Sequence, residues 1–369
     1  MPHRNVRSHL EFVGCTCYRN MANKRRCANC RTAKLFSLIL CFSFFLTLVL
    51  VCTTSNKLMH IASIHSTIRN IFGEIFMGNK LVLNFINRAE ISRPDACDAC
   101  FPHNFDYVIN NEVMCGVYDD SKEIDLIIFI FTTHKRQRER QVIRQTWLNY
   151  TNKNKANVRY LFLLGEVPDE NLRHLVEEEN IIHGDILKED FVDTYQNLTY
   201  KTMMAFKYAT KKCSHAKYFF KTDDDMWVNI PGLLKVIKRE KITLQTAVGG
   251  NCFQVADPVR NPDSKWFASL QSYPHKFYPG YCAGAGYVTS INIVKDVYEI
   301  SKDVPFFHLE DVYVALCVRK LGYKLHRIPG FNSSQITFDP CIYKGDNLIT
   351  AHEVYLETLK QFWNTPCTH

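Results

Sequence analysis

From Cys97 onward the chain alternates between unbroken apolar runs and segments whose apolar residues recur at helical spacing. DLIIFIF (Asp125–Phe131) has the length and continuity of a buried strand. It passes into the polar TTHKRQRER and then a helical pattern through Gln141–Tyr150. VRYLFLLG (Val158–Gly165) predicts a second strand, NLRHLVEEEN a helix, and Ile181–Ile186 a short strand. TYKTMMAFKYATKKC reads as a further helix and AKYFFKT as another buried strand. Strands alternating with helices predict an α/β layer fold around a largely parallel sheet. Ligands of such sheets gather beyond the carboxyl ends of the strands. In FKTDDDMWVN that position holds three consecutive aspartates, Asp223, Asp224 and Asp225.

A different pattern precedes this region. LFSLILCFSFFLTLVLVC (Leu35–Cys52) carries no charge, and none follows until Lys57. As a helix it would span about 27 Å, close to a bilayer core. It is longer than the usual apolar region of a cleaved signal peptide, and no convincing cleavage site follows. The net charge of +8 resides before it: residues 1–34 hold eight Lys/Arg against the single acid Glu11. A basic flank keeps the N-terminus cytosolic and sends the bulk of the chain across the membrane. The expected organisation is therefore a cytosolic tail (1–34), a signal-anchor (35–52), a lumenal stem (53–96) and a lumenal domain (97–369). With the tail set aside the chain is close to neutral, which gives no support for nucleic-acid binding. The tail cysteines Cys15, Cys17, Cys27 and Cys30 continue into no zinc-ribbon pattern and are read as reduced or acylated thiols.

Two features agree with a lumenal domain. Asn149, Asn197 and Asn332 each begin an Asn-x-Ser/Thr triplet, a candidate glycosylation site. Nine of the 15 cysteines lie beyond the anchor, in an oxidising compartment. Nine is odd, so at least one thiol stays free or pairs between chains.

Carboxylate oxygens are hard ligands, suited to Mg²⁺, Mn²⁺ or Ca²⁺. A calcium EF-hand counted from Asp223 would need glycine at Val228 and glutamate at Leu234, and is excluded. A helix cap would need one aspartate, not three. A hard cation with few protein ligands takes further oxygens from phosphate, which points to a metal–diphosphate site. No Walker motif is present, and GAG (Gly284–Gly286) lacks the third glycine of a dinucleotide fingerprint. A nucleotide sugar is the remaining donor class.

Six segments in order then resemble the β-1,3-galactosyltransferase/β-1,3-N-acetylglucosaminyltransferase family (glycosyltransferase family 31). They are FDYVINNEVMC, RERQVIRQTW, DILKEDFVDTYQNLTYKT, FKTDDDMWVN, YPGYCAGAGYVTS and EDVYVALC. The resemblance implies a GT-A-type nucleotide-sugar-binding fold with a mixed, mostly parallel sheet. It also implies an inverting, type II Golgi membrane enzyme. Such an enzyme moves galactose, GlcNAc or GalNAc from a UDP-sugar to the 3-hydroxyl of an acceptor glycan on glycolipid or glycoprotein. This chain departs from the family at Ala315, where glycine is common, and at Gly280, where proline is common.

By the same resemblance Asp225 ligates Mn²⁺ (or Mg²⁺), Asp223 faces the ribose or the metal's water, and Asp224 contacts the donor sugar. His352 completes the metal shell, with His326 and His308 as fallbacks. Asp311 is the general base and Glu310 its alternate, although spacing alone would make Asp311 a helix cap. Asp193 and Lys201 shape the uridine and diphosphate pocket, with a helix cap as the plainer role for Asp193. Arg140 and Arg144 lie four apart on one helix face and are expected at the nucleotide, against the alternative of a solvated basic helix. Gly284 and Gly286 are either turn residues or points of close sugar approach. Trp147 is expected in the core, and Trp266 and Tyr281 as platforms for sugar faces. Two other readings stand beside this one: a fringe-like transferase acting on O-fucose, and an inactive glycan-binding membrane protein.

Overall fold

Leu126 to Phe131 (β2) are buried without exception, because both faces of the strand are covered. Leu126, Ile128 and Ile130 join one hydrophobic core, while Ile127, Phe129 and Phe131 join another on the opposite face. This is why the run is continuously apolar rather than alternating. The computed structural model describes residues 93–115 and 123–367, together with a two-residue antiparallel pairing of Tyr18–Arg19 with Arg25–Arg26. The expected anchor, and the stem up to residue 92, lie outside the described residues. Among those described, no helix is long and apolar enough to cross a membrane.

Around β2 the eight-stranded sheet takes the order β9-β7-β8-β5-β2-β3-β4-β1. The strands are β1 (Tyr107–Ile109), β3 (Val158–Glu166), β4 (Ile186–Val192), β5 (Tyr218–Asp223), β7 (Ala247–Phe253), β8 (Tyr281–Ser290) and β9 (Lys324–Arg327). Only β8 and β1 run against the other six, so the sheet is mixed and mostly parallel, as expected. A separate ladder pairs β6 (Trp227–Val228) with β10 (Thr350–Ala351).

Helices α1 (Gln137–Gln145), α2 (Glu170–His183) and α4 (Ile230–Arg239) supply one core through Val142, Val176 and Leu233. Helices α3 (Leu198–Lys212), α5 (Ile291–Ser301) and α6 (Glu310–Lys320) supply the other through Met203, Val294 and Tyr313. Two short helices, α7 (Pro340–Lys344) and α8 (Leu356–Asn364), follow. The strand expected at Ile181–Ile186 is corrected: Ile181 and Ile182 form the exposed last turn of α2, and β4 begins at Ile186. Gly184 ends the helix at φ 61°, the left-handed cap that glycine adopts without strain.

Four disulfides join Cys97–Cys100, Cys115–Cys213, Cys252–Cys282 and Cys341–Cys367, which leaves buried Cys317 as the odd thiol. Cys252 and Cys282 face each other across β7 and β8 and clamp the neck of the long loop between those strands. Replacing both by serine frees a closure of 30 residues. The expected cost is about 3 kcal/mol, read from denaturant unfolding; an unchanged midpoint would show that the loop needs no clamp.

Candidate active site

Strand β5 delivers the three aspartates in register with the end of β2: Asp223 pairs with Phe131, and the Asp224 N–H donates to the Phe131 carbonyl at 3.0 Å. Three adjacent carboxylates repel one another, and the fold assigns each a different cation. Lys221 Nζ lies 2.8 Å from Asp223 Oδ1, Arg136 Nε 2.8 Å from Asp224 Oδ2, and His352 Nε2 3.5 Å from Asp225 Oδ2. Thr132 also donates to Asp224 at 2.6 Å. The side chains of Asp223 and Asp225 stay 31% and 33% exposed, against 9% for Asp224. Burial lifts the Asp224 carboxyl to about 6 despite Arg136 and Thr132. The middle aspartate is thus enclosed by protein, and the flanking pair is half-buried.

His352 arrives from 127 positions downstream of Asp225. The β6–β10 ladder matches Ala351 with Trp227, and Val354 N–H donates to the Asp225 carbonyl at 2.8 Å. His352 Nδ1 lies 3.2 Å from the Ser333 carbonyl, which orients the ring so that Nε2 faces Asp225. The Asp225 Oδ1 atom is buried without a hydrogen-bond partner. Burial works against its charge, but the hydrogen bond and charge of His352, with Arg136, hold Asp225 below the usual aspartate range. The bond to Asp225 in turn raises His352. An orphaned carboxylate oxygen beside an oriented imidazole fits a divalent cation of the Mn²⁺ or Mg²⁺ kind. Among the described residues no group of three or more His, Cys, Asp or Glu gathers as a metal shell, so further ligands would come from a substrate. The fallback histidines lie elsewhere: His326 pairs with Glu240 at 3.4 Å, and His308 packs on Phe307.

Helix α6 opens with the other acids. Leu309 takes the cap position, so Asp311 lies inside the first turn rather than capping it. Asp311 accepts from Gly284 N–H at 3.1 Å and from Val312 N–H at 2.8 Å. Burial raises its carboxyl, and those amide donors oppose the rise. Glu310 is enclosed: it accepts from Thr202 at 2.9 Å and Tyr287 at 3.2 Å, and lies 3.2 Å from Lys221 Nζ. Burial lifts Glu310 to about 7. A Cβ at Gly284 would stand 2.6 Å from Glu310 Oε1, so this glycine is required by close packing of the acids. Gly286 is under no such demand, its nearest neighbour being Phe220 at 3.4 Å.

The arginines expected at the nucleotide are corrected. Arg140 is fully buried, with Nε and Nη2 on the Glu179 carboxylate at 2.9 and 2.5 Å and Nη1 on the Thr133 carbonyl at 2.6 Å. Arg144 meets both Asp185 oxygens at 2.7 and 2.8 Å and Glu179 at 2.7 Å. Partners on and just beyond α2 occupy these guanidinium groups, which therefore tie α1 to α2. Asp193 and Lys201 do meet, at 2.7 Å, and Lys201 also donates to the Thr132 carbonyl at 2.7 Å. They form a buried prop under the end of β2 and not a direct contact surface. Close by, buried His134 has both ring nitrogens without a hydrogen-bond partner, and burial lowers it to about 4, so it is neutral.

Sequence reasoning missed Lys221, Arg136, Tyr195 and Tyr278. A lysine inside an apolar strand run was the available signal for Lys221. Burial raises the phenols of Tyr195, Tyr278 and Tyr281, and the charge of Asp311 adds to the rise. Tyr278 Oη is buried without a partner. Tyr281 packs on Phe253 at 5.4 Å rather than with Trp266, whose ring lies under Lys265. Gly280, just before Tyr281, has φ 88°, which proline cannot adopt, so the substitution noted above redirects this loop. Trp147 is buried, with its indole N–H on the Met226 carbonyl at 3.1 Å, inside the core as expected. Among the three sequons, Asn149 is exposed, Asn197 donates to the Val192 carbonyl and Asn332 accepts from Ser334 N–H.

The family model described as Galactosyltransferase matches residues 138–329. Beta-1,3-galactosyltransferase 1 of Mus musculus is 38% identical over 271 residues, covering 71% of this chain and 79% of that protein. Beta-1,3-galactosyltransferase 5 of Homo sapiens is 35% identical over 244 residues, covering 64% and 77%. A solved glycosyltransferase involved in glycosylation of the major capsid of PBCV-1 overlaps 64% of this chain and 98% of its own at 13% identity. Its TM-score of 0.36 is too low to inform the site.

Two outcomes are expected. Glu179→Ala leaves two buried arginines short of a counter-charge and should cost about 3 kcal/mol in thermal unfolding; a loss of nucleotide affinity without destabilisation would return the arginines to the donor site. For Glu310, a folded value of about 7 above the ordinary 4.5 means that the native state holds the proton more tightly. Its stabilising contribution is complete below pH 4.5 and is lost as pH rises through about 7. Glu310→Gln should therefore flatten the decline in stability between about pH 5 and 8; an equal decline in both proteins would refute the assignment.

Proposed function

The chain belongs to the galactosyltransferase family, and on that footing we propose that it is an inverting β-1,3-glycosyltransferase of the Golgi lumen. It transfers a hexose or N-acetylhexosamine from a UDP-sugar to the 3-hydroxyl of an acceptor glycan carried on glycolipid or glycoprotein. Galactose is the first donor to test, because the relatives are named galactosyltransferases. The observation that carries this reading is the link through Gly284: its carbonyl accepts from Lys221, which holds half-buried Asp223 of the aspartate triplet, and its N–H donates to Asp311.

In the mechanism Asp311 accepts the proton of the acceptor hydroxyl as that oxygen attacks the anomeric carbon. The new carbon–oxygen bond forms while the bond to the diphosphate breaks, and UDP leaves with the bonding pair. Attack from the face opposite the leaving group inverts the anomeric centre. Asp225 and His352 would hold Mn²⁺ or Mg²⁺, which when bound offsets the charge gathering on the diphosphate. Asp223 orients the ribose or the water around it. The phenols of Tyr195, Tyr278 and Tyr281 line the acceptor side and exclude water from Asp311.

The test is a transfer panel of UDP-sugars and acceptors, run with added and chelated Mn²⁺. Chelation should stop transfer, and Asp311→Asn should lower kcat by about a thousandfold or more while the protein stays folded. Asp225→Ala should abolish both transfer and manganese-dependent UDP binding. Full activity of Asp311→Asn, or transfer indifferent to chelation, would overturn the corresponding part of the mechanism.

A further inference from the structure

We propose that Lys221 is a positioning residue for the transfer reaction, a single ammonium that fixes the Asp311 base and the donor-side Asp223 in one geometry. The inference rests on the reading of Asp311 as base. Lys221 lies in β5, where its side chain is only 3% exposed. A lysine there is stable only if carboxylates and carbonyls replace its lost water. Nζ lies 2.8 Å from Asp223 Oδ1 and 3.2 Å from Glu310 Oε1, and donates to the Gly284 carbonyl. Two ammonium protons therefore meet acceptors, Asp223 and the Gly284 carbonyl, while Glu310 stands at ion-pair distance, and the Phe131 ring lies 4.4 Å from the ammonium.

Each of these acceptors belongs to a different part of the site. Asp223 opens the aspartate triplet at the end of β5. Gly284, on β8, accepts from Lys221 through its carbonyl and donates through its N–H to Asp311 Oδ2. Glu310 precedes Asp311 on α6 and is pinned from its other side by Thr202 and Tyr287. Lys221 thus holds β5, β8 and α6 together where donor and acceptor meet. Among the described residues it is the one cation in direct contact with the Glu310–Asp311 pair. The surplus of carboxylates leaves its ammonium firmly charged despite burial. Without it, Glu310 and Asp311 would face one another uncompensated and take up protons at higher pH.

The charged and titratable groups that interact with Asp311 are Lys221 from β5, Glu310 from its own helix, Tyr281 and Tyr287 on β8, Tyr278 just before it, and Tyr195 ahead of α3. Lys221 is the only permanent cation in that set. A purely structural buried ion pair would be dispensable once both partners are neutralised together. A positioning residue would not be.

The experiment compares the full-length wild type with Lys221→Met and Lys221→Arg, and with Lys221→Met combined with Glu310→Gln. It reads kcat and both KM values against pH, together with the unfolding temperature. For Lys221→Met, kcat should fall by about a hundredfold with donor KM changed by less than about threefold. The acid limb of the kcat/KM profile should move up by about one pH unit, and Lys221→Arg should return it toward the wild-type position. The double variant should recover the unfolding temperature but not kcat. The inference is overturned by kcat within about threefold of wild type in Lys221→Met, by an unmoved acid limb, or by a double variant that regains activity along with stability. Wild type inactive with every UDP-sugar would sink the transfer reading and this role together; active wild type with unaffected Lys221→Met would sink this role alone.

Discussion

Carboxylate crowding at one end of the sheet is the constraint on which the rest of the site depends. Five acids, Asp223, Asp224, Asp225, Glu310 and Asp311, converge there from β5 and α6. Left alone they would repel each other and protonate. The fold answers with counter-charges from separate elements: Lys221 from β5, Arg136 from the turn before α1, and His352 from beyond β10. Burial and these partners together set the state of each acid. Asp224 is enclosed and raised, Asp225 is kept ionised with one oxygen unpartnered, and Glu310 is sealed under Lys221. Three adjacent residues of one type thereby acquire three different chemical characters.

The same constraint explains the glycine-rich strand. A carboxylate pair packed against β8 leaves no room for a side chain at Gly284, and the irregular stretch of β8 between Cys282 and Tyr287 accommodates the approach. Beyond it, the loop clamped by Cys252–Cys282 carries Tyr278 toward Asp311, with Tyr281 following at its exit. Gly280 in that loop adopts a backbone closed to proline. The aspartate triplet and the Glu310–Asp311 pair thus meet at β8, linked through Lys221 and Gly284.

Sheet type and the aspartate triplet were legible because they are local in the chain, whereas Asp311 was singled out by the family resemblance and by spacing alone reads as a helix cap. Period and length distinguish buried strand from helix, and one polar cluster at a strand end stands out against apolar neighbours. Local pattern misled where a residue's partners lie far away. The Arg140 and Arg144 spacing suggested a face open to a phosphate, yet Glu179 and Asp185, some forty positions on, occupy both groups. Ile181 and Ile182 look like strand residues, yet they finish a helix that only Gly184 ends. Lys221 was passed over because its acceptors come from β8 and α6.

By itself, the order of residues determined the layered α/β fold, an odd cysteine, a charge-neutral body behind a basic tail, and the candidate metal and base carboxylates. Tertiary structure alone decided which basic group serves which acid, and that Glu310 is sealed by Thr202 and Tyr287 while Asp311 is held half-buried by backbone amides. The reason is that periodicity and turn chemistry are read within a few residues. A counter-ion is chosen by proximity in space, and that proximity is set when β6 pairs with β10 and α6 docks on β8.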